Sequence, residues 1–250
     1  MFTTGNHGYL YASCGLYAVA LVLSLAARRR TPALAAVAVG FVVHGLYLAG
    51  RGWLSGVFYA NPIFEGPFFL PWCVAGIVLF ASVRRRERPT APLIGLLLVL
   101  CLGAVAYSKG VIPPSPKKMN ALAPVFFFAE NLGHALFYCG AVMAVRGMAR
   151  GERENGYHRF LVWGFVFFSV SQVIGAAWCY VGWGNTFRWS PRHFTSAALW
   201  VMYAAYLHLR FTPGWSGKKR SVFAIVAAVL TFLATYGHYL RELAFARVGG

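Results

Sequence analysis

A chain of 250 residues that is 59% hydrophobic and only 12% charged carries more apolar surface than a soluble core of that size hides, and the excess calls for lipid. Its charge is one-sided, with 23 Lys and Arg against 6 Asp and Glu and a formal net charge of +17. The basic residues fall in short clusters between apolar runs, which is how a membrane protein fixes its orientation, so nucleic acid is not the partner this charge points to.

A helix needs about 20 apolar residues to cross about 30 Å of hydrocarbon, and only helices or closed barrels satisfy their backbone there. Eight segments meet the test, over residues 8–27, 33–51, 67–83, 92–107, 121–145, 159–182, 194–211 and 221–240. The first has its basic cluster, Arg28 to Arg30, after the apolar run, so it is expected to remain as a transmembrane helix and not to be cleaved as a signal peptide. One set of alternate loops gathers fifteen of the basic residues: Arg28, Arg29, Arg30; Arg84, Arg85, Arg86, Arg88; Arg146, Arg150, Arg153, Arg159; Arg210, Lys218, Lys219, Arg220. The other set holds the remaining eight: Arg51, Lys109, Lys117, Lys118, Arg188, Arg192, Arg241 and Arg247. The expected fold is therefore an all-α, polytopic membrane protein of about eight transmembrane helices, one integral membrane domain over residues 1–250, with both termini on the outer face.

The outer loops then run over residues 52–66, 108–120 and 183–193, the first and third rich in aromatics and glycine. The five cysteines, Cys14, Cys73, Cys101, Cys139 and Cys179, are widely spaced in or beside apolar runs and read as small buried hydrophobes. No Cys-x-x-Cys-His occurs, so that route to covalently attached haem is closed to the chain itself.

The informative stretch is 175–210, GAAWCYVGWGNTFRWSPRHFTSAALWVMYAAYLHLR. It resembles the external tryptophan-rich segment of the cytochrome c assembly family, the WWD domain, which runs Trp-Gly-x-x-Trp-x-Trp-Asp-Pro-Lys-Glu and precedes a helix ending near Tyr-Leu-His-x-Arg. Trp183, Gly184, Trp189, Pro191, Tyr206, Leu207, His208 and Arg210 match position for position, with Gly175 and Trp178 on the approach. Phe187 stands at the middle Trp and Arg192 at the Lys, while Ser190 and His193 replace the two carboxylates. In the second helix and its loop, His44, Leu48 and Arg51 are similar to the family's His-x-x-x-Leu-x-x-Arg, and Asn61, Phe64 and Glu65 to the segment that follows. Glu130 occupies the place of a family histidine near the outer end of helix five, with His134 one turn deeper. The family's last external histidine, in a Leu-His-Ser-Tyr segment, has no direct counterpart, and His238 is the nearest candidate.

The resemblance implies haem handling: haem b, bound or in transit, held inside the membrane by His44 and His208 and presented on the outer aromatic platform to an apocytochrome c. It also implies a second membrane assembly subunit of the ResB or CcsB type, a bacterial-type inner membrane, and a part in holocytochrome c synthesis. The residue types fit such a ligand. Trp178, Trp183, Phe187 and Trp189 offer rings to a flat macrocycle. Arg188, Arg192 and Arg51 offer cations to propionates. Imidazole is the commonest axial donor, with His44, His208, His134, His193 and His238 as candidates and Glu130 as an ion-pair partner, weak ligand or proton acceptor. Interfacial anchoring of the tryptophans and arginines, and helix-to-helix hydrogen bonds for His44 and His134, remain open as structural roles. His7 and His158, in flanking polar segments, read as solvated. Three functions follow: haem transport and presentation, a non-catalytic or regulatory relative without external ligation, and a b-type haem subunit of a quinone-linked respiratory complex.

Overall fold

The computed structural model describes residues 7–26, 30–56, 62–85, 91–107, 119–151, 155–215 and 217–243. Eight α-helices lie at the eight expected places: α1 (His7–Ala26), α2 (Arg30–Leu54), α3 (Pro62–Arg85), α4 (Ala91–Tyr107), α5 (Leu122–Arg150), α6 (Asn155–Trp183), α7 (Pro191–His208) and α8 (Gly217–Leu243), with a 3-10 turn at Leu209–Phe211. Among the described residues there is no strand. Six helices, α1, α2, α3, α5, α6 and α8, are long and apolar enough to span a bilayer. The chain is a multi-pass integral membrane protein. The other two depart from the simple rule for identifiable reasons. α4 has 17 residues and so is about 25 Å long at 1.5 Å per residue. α7 has 18 residues but carries Arg192, His193 and His208, which lower its apolarity.

Helix ends follow local chemistry. Gly151 closes α5 at φ 63°, its N–H donating to the Gly147 carbonyl, because only glycine enters that left-handed region freely. Gly184 does the same for α6 at φ 72°, its N–H donating to the Tyr180 carbonyl at 2.8 Å. α7 starts three residues earlier than expected, at Pro191, whose fixed φ suits the first helical position.

α5 is the central helix: 78% of its apolar window lies inside the bundle, against 22% for α1 and for α6. It packs on α3, α4, α6 and α8, while α1 packs on α2 and α4, and α7 on α6 and α8. The α5–α6 seam is closest where small residues face each other. A Cβ built on Gly133 would stand 3.1 Å from the Gly164 carbonyl oxygen, and one on Gly164 would stand 2.7 Å from the Phe137 ring.

Side-chain pairs fix which helix ends share a face. Arg192 at the start of α7 meets Glu130 in the first third of α5 at 2.7 Å. At the opposite end the Ser221 hydroxyl of α8 donates to the Tyr157 hydroxyl of α6 at 3.0 Å, and His158 of α6 meets Tyr206 of α7 at 3.3 Å. Arg146, Arg150, Arg159, Arg210, Lys218, Lys219 and Arg220 therefore gather at one end of the α5–α8 bundle and the tryptophan-rich loop at the other. That separation is what an orientation set by basic loops requires.

Candidate functional site

Trp183 is the last residue of α6 and Pro191 the first of α7, so the outer loop proper is 184–190. The Asn185 side-chain oxygen accepts the Phe187 N–H at 3.1 Å and the Arg188 carbonyl accepts the Ser190 N–H at 2.7 Å, which folds the loop tightly. Its aromatic residues form two groups. Trp183 packs edge-on against buried Trp178 at 5.8 Å, and Trp178 against Phe126 and Phe127 at 5.9 and 5.8 Å. Phe187 contacts Trp189, His193 and Phe194 at 5.4, 5.3 and 6.1 Å. Trp189 is 82% exposed, and Phe187 and Phe194 are also exposed, so this second group is an open apolar face at the outer end of the bundle.

Both arginines lie on rings of the first group. The Arg188 guanidinium lies 4.7 Å over the Trp183 ring. Arg192 stacks over Phe126 and Phe127 at 5.6 and 5.4 Å, and its Nη2 donates to Glu130 Oε2 at 2.7 Å. Glu130 is buried, whereas the Arg192 side chain is 52% exposed. The loop is thus fastened to the central helix by a charge-assisted hydrogen bond spanning 62 residues of sequence.

His193 sits in the first turn of α7. Its Nδ1 meets the Ser190 hydroxyl at 2.9 Å, and its Nε2 meets the Cys179 sulfur at 3.4 Å. Ser190 holds the helix N-cap position, yet its hydroxyl serves the His193 ring and caps no backbone N–H. Burial, and then the charges of Arg188 and Arg192, hold the His193 imidazole below its ordinary value of 6.5. The ring is neutral near pH 7, the state that binds metal.

Two further imidazoles lie deep in the bundle. His44 of α2 is fully buried, its Nδ1 3.5 Å from the Tyr17 hydroxyl and its Nε2 without a hydrogen-bond partner. Arg51 lies two turns on along the same face of α2, 1% exposed, with Nη1 donating to the Tyr47 hydroxyl at 3.2 Å and its guanidinium 4.4 Å over the Phe68 ring. Beside it a cavity of about 240 Å³, lined by Tyr9, Leu46, Tyr47, Gly50, Arg51, Trp53 and Leu54, opens between α1 and α2. His134 of α5 is 2% exposed and neither ring nitrogen has a hydrogen-bond partner. A buried imidazole nitrogen left unpaired costs about 1–3 kcal/mol, so a polar group brought against such an atom is stabilising.

His208 is placed differently from His44. It lies exposed at the end of α7, its Nδ1 donating to the Ala204 carbonyl of its own helix at 2.8 Å. α2 packs mainly on α1 and α3 and α7 on α6 and α8, so the structure does not bring His44 and His208 together. His238 belongs to α8 but its side chain lies outside the described residues, as do Asn61 and the side chains of Phe64 and Glu65. The five cysteines are buried and free. His158 departs from the solvated reading: its Nδ1 meets the buried Tyr206 hydroxyl, and Arg210 Nη1 donates to its Nε2 at 3.4 Å. Tyr206 and Arg210 of the Tyr-Leu-His-x-Arg run thus bracket His158 and not His208.

The family model described as cytochrome C assembly protein matches residues 132–243, which includes His134, the outer loop and all of α7. Over 235 residues the chain is 34% identical to the cytochrome c biogenesis protein CcsA of Parasynechococcus marenigrum (strain WH8102), covering 75% of this chain and 76% of that protein. The chain belongs to the cytochrome c assembly protein family. Two other members show how far the likeness extends. The CcsA protein of Gloeobacter violaceus is 24% identical with 89% of each chain covered, and that of Synechococcus sp. (strain CC9902) is 23% identical with 80% and 81% covered. With 89% of the chain covered, the likeness reaches well before residue 132, to the part of the fold that carries His44 and Arg51.

Proposed function

We propose that this family member binds haem and presents it at the outer membrane face for cytochrome c maturation. The observation that carries the reading is the outer face: exposed Trp189, Phe187 and Phe194 against His193, with Arg188 over the neighbouring Trp183 ring and the charges of Arg188 and Arg192 felt at the His193 imidazole. Aromatic faces suit a porphyrin plane, guanidinium groups suit its propionates, and a neutral imidazole suits its iron. His44 is the internal donor, because its Nε2 is buried, unpartnered and on the same helix face as the Arg51 cation. The cargo is haem b, whose vinyl groups accept the thiols of an apocytochrome c. The chain's own residues bind it, orient it and shield it from water. A second membrane subunit of the ResB or CcsB type and a bacterial inner membrane complete the setting. The test is a strain lacking this chain, in which c-type cytochromes are expected to lose covalent haem and regain it on complementation. Unchanged covalent haem in that strain would refute the role.

Retention of haem at the outer site should depend on pH with a known sign. Because the imidazole of His193 titrates below 6.5, iron binding there is expected to persist at pH 6.5 and weaken only as pH falls through the lowered value. Arg188→Gln removes one of the charges that lower it, so the midpoint of release should move up, toward 6.5. Haem absorbance followed through an acid titration of both proteins measures the difference, and coincident midpoints would contradict it.

A second reading, a regulatory relative without external ligation, has one observation in its favour. Glu130 stands where the family resemblance places a histidine, and it engages Arg192 of the loop.

A further inference from the structure

Glu130, His134 and Tyr138 lie four residues apart along α5, which sets them in one row on one helix face, neighbours about 6 Å apart at Cβ. All three are buried. The outer end of the row reaches water through Arg192, whose side chain is 52% exposed. Further in, both nitrogens of His134 and the hydroxyl of Tyr138 have no hydrogen-bond partner, so three orphaned polar atoms follow one another within a single helical turn. The two ring centroids are 6.5 Å apart and the groups make no direct hydrogen bond; a water between them would give each the partner it lacks. Their surroundings are otherwise apolar or already committed. α6 presents the Phe168 ring at 5.4 Å, and α8 presents Tyr236, whose hydroxyl donates to the Asn131 side-chain oxygen at 2.9 Å. α7 contributes Arg192 above and Tyr203, whose hydroxyl meets Thr231 of α8 at 3.2 Å.

We propose that Glu130, His134 and Tyr138, bridged by water, form a proton relay that connects the outer face with the middle of the bundle. Ionisable side chains within a bilayer are expensive, and chains of carboxylate, imidazole and hydroxyl groups at hydrogen-bond spacing are a recurrent use of them. The step balances without any oxidant or reductant. Hydronium arriving on the Glu130 side gives a proton to the free ring nitrogen of His134 and becomes water, the opposite ring N–H passes its proton to water beside Tyr138, which becomes hydronium, and the ring ends neutral with its tautomer exchanged. Glu130 offsets the Arg192 charge, which would otherwise oppose the transient imidazolium, and Arg192 holds Glu130 in place. The relay uses no haem, so it stands or falls apart from the function proposed above.

The test uses the full chain, haem-free, in lipid nanodiscs with nitrogen-labelled histidine, following deuterium exchange at the His134 ring by magnetic resonance. In the wild type the ring nitrogens are expected to show hydrogen bonds to water and to exchange rapidly from the outer side. Glu130→Gln, which keeps shape and hydrogen bonding but not charge, should slow exchange by about tenfold or more. Arg192→Lys keeps a cation beside Glu130 and should leave exchange as fast as in the wild type. A His134 ring protected in the wild type, or equal rates in the wild type and Glu130→Gln, would overturn the proposal. So would equal slowing in both variants, because that pattern follows from disturbed packing.

Discussion

Replacing His44 by alanine is expected to reduce the haem that copurifies with the protein by about tenfold or more, since the imidazole is the proposed internal donor to iron. The argument rests on placement. His44 is fully buried on α2, its Nδ1 faces the Tyr17 hydroxyl, and its Nε2 has no hydrogen-bond partner. Tyr17→Phe removes only the long 3.5 Å contact to Nδ1 and should leave the haem content nearly unchanged. Haem per protein, measured after extraction, separates the two variants. Equal haem in the wild type and His44→Ala would remove His44 from the site.

Arg192→Ala should be the most destabilising single change at the outer end of α7. It leaves the buried Glu130 carboxylate without its 2.7 Å partner and strips the cation from the faces of Phe126 and Phe127. Breaking a fully buried pair costs about 3–5 kcal/mol; Arg192 is half exposed, so water shares its charge and about 1–3 kcal/mol is expected. Glu130→Gln in the same chain should restore most of the loss, because it removes the stranded charge. Thermal unfolding of the four proteins in one detergent measures the coupling. Additive shifts would mean that the pair does not hold the loop.

The helices were legible because lipid imposes length and apolarity on each crossing, and the eight apolar runs announce themselves. The ends were less so. α7 starts at Pro191 and not at residue 194, although Ser190 followed by Pro191 is a helix-start signal, because that stretch reads first as part of a loop motif. The outer aromatic residues were legible from their spacing with Gly184 and Pro191, but their division into a Trp178–Trp183 group and a Phe187–Trp189 group was not. Which ring meets which depends on the turn that Asn185 and Gly184 impose. The partner of Glu130 is 62 residues away, and only the packed bundle chooses Arg192 for it.

Histidines show the same limit. The family resemblance implies an internal pair of His44 and His208, yet α7 ends in an exposed turn and directs Tyr206 and Arg210 onto His158. His134 one turn deeper than Glu130 was visible in the sequence, but that Tyr138 continues the row, and that its inner members lack partners, emerges only when α6, α7 and α8 are in place.

The most direct measurement of the outer platform is the visible absorption spectrum of the protein purified from haem-replete cells, compared with Trp183→Ala/Trp189→Ala. The account expects a labile haem spectrum in the wild type that is largely lost from the double variant. No haem in the wild type, or stoichiometric haem indifferent to both tryptophans, would contradict it.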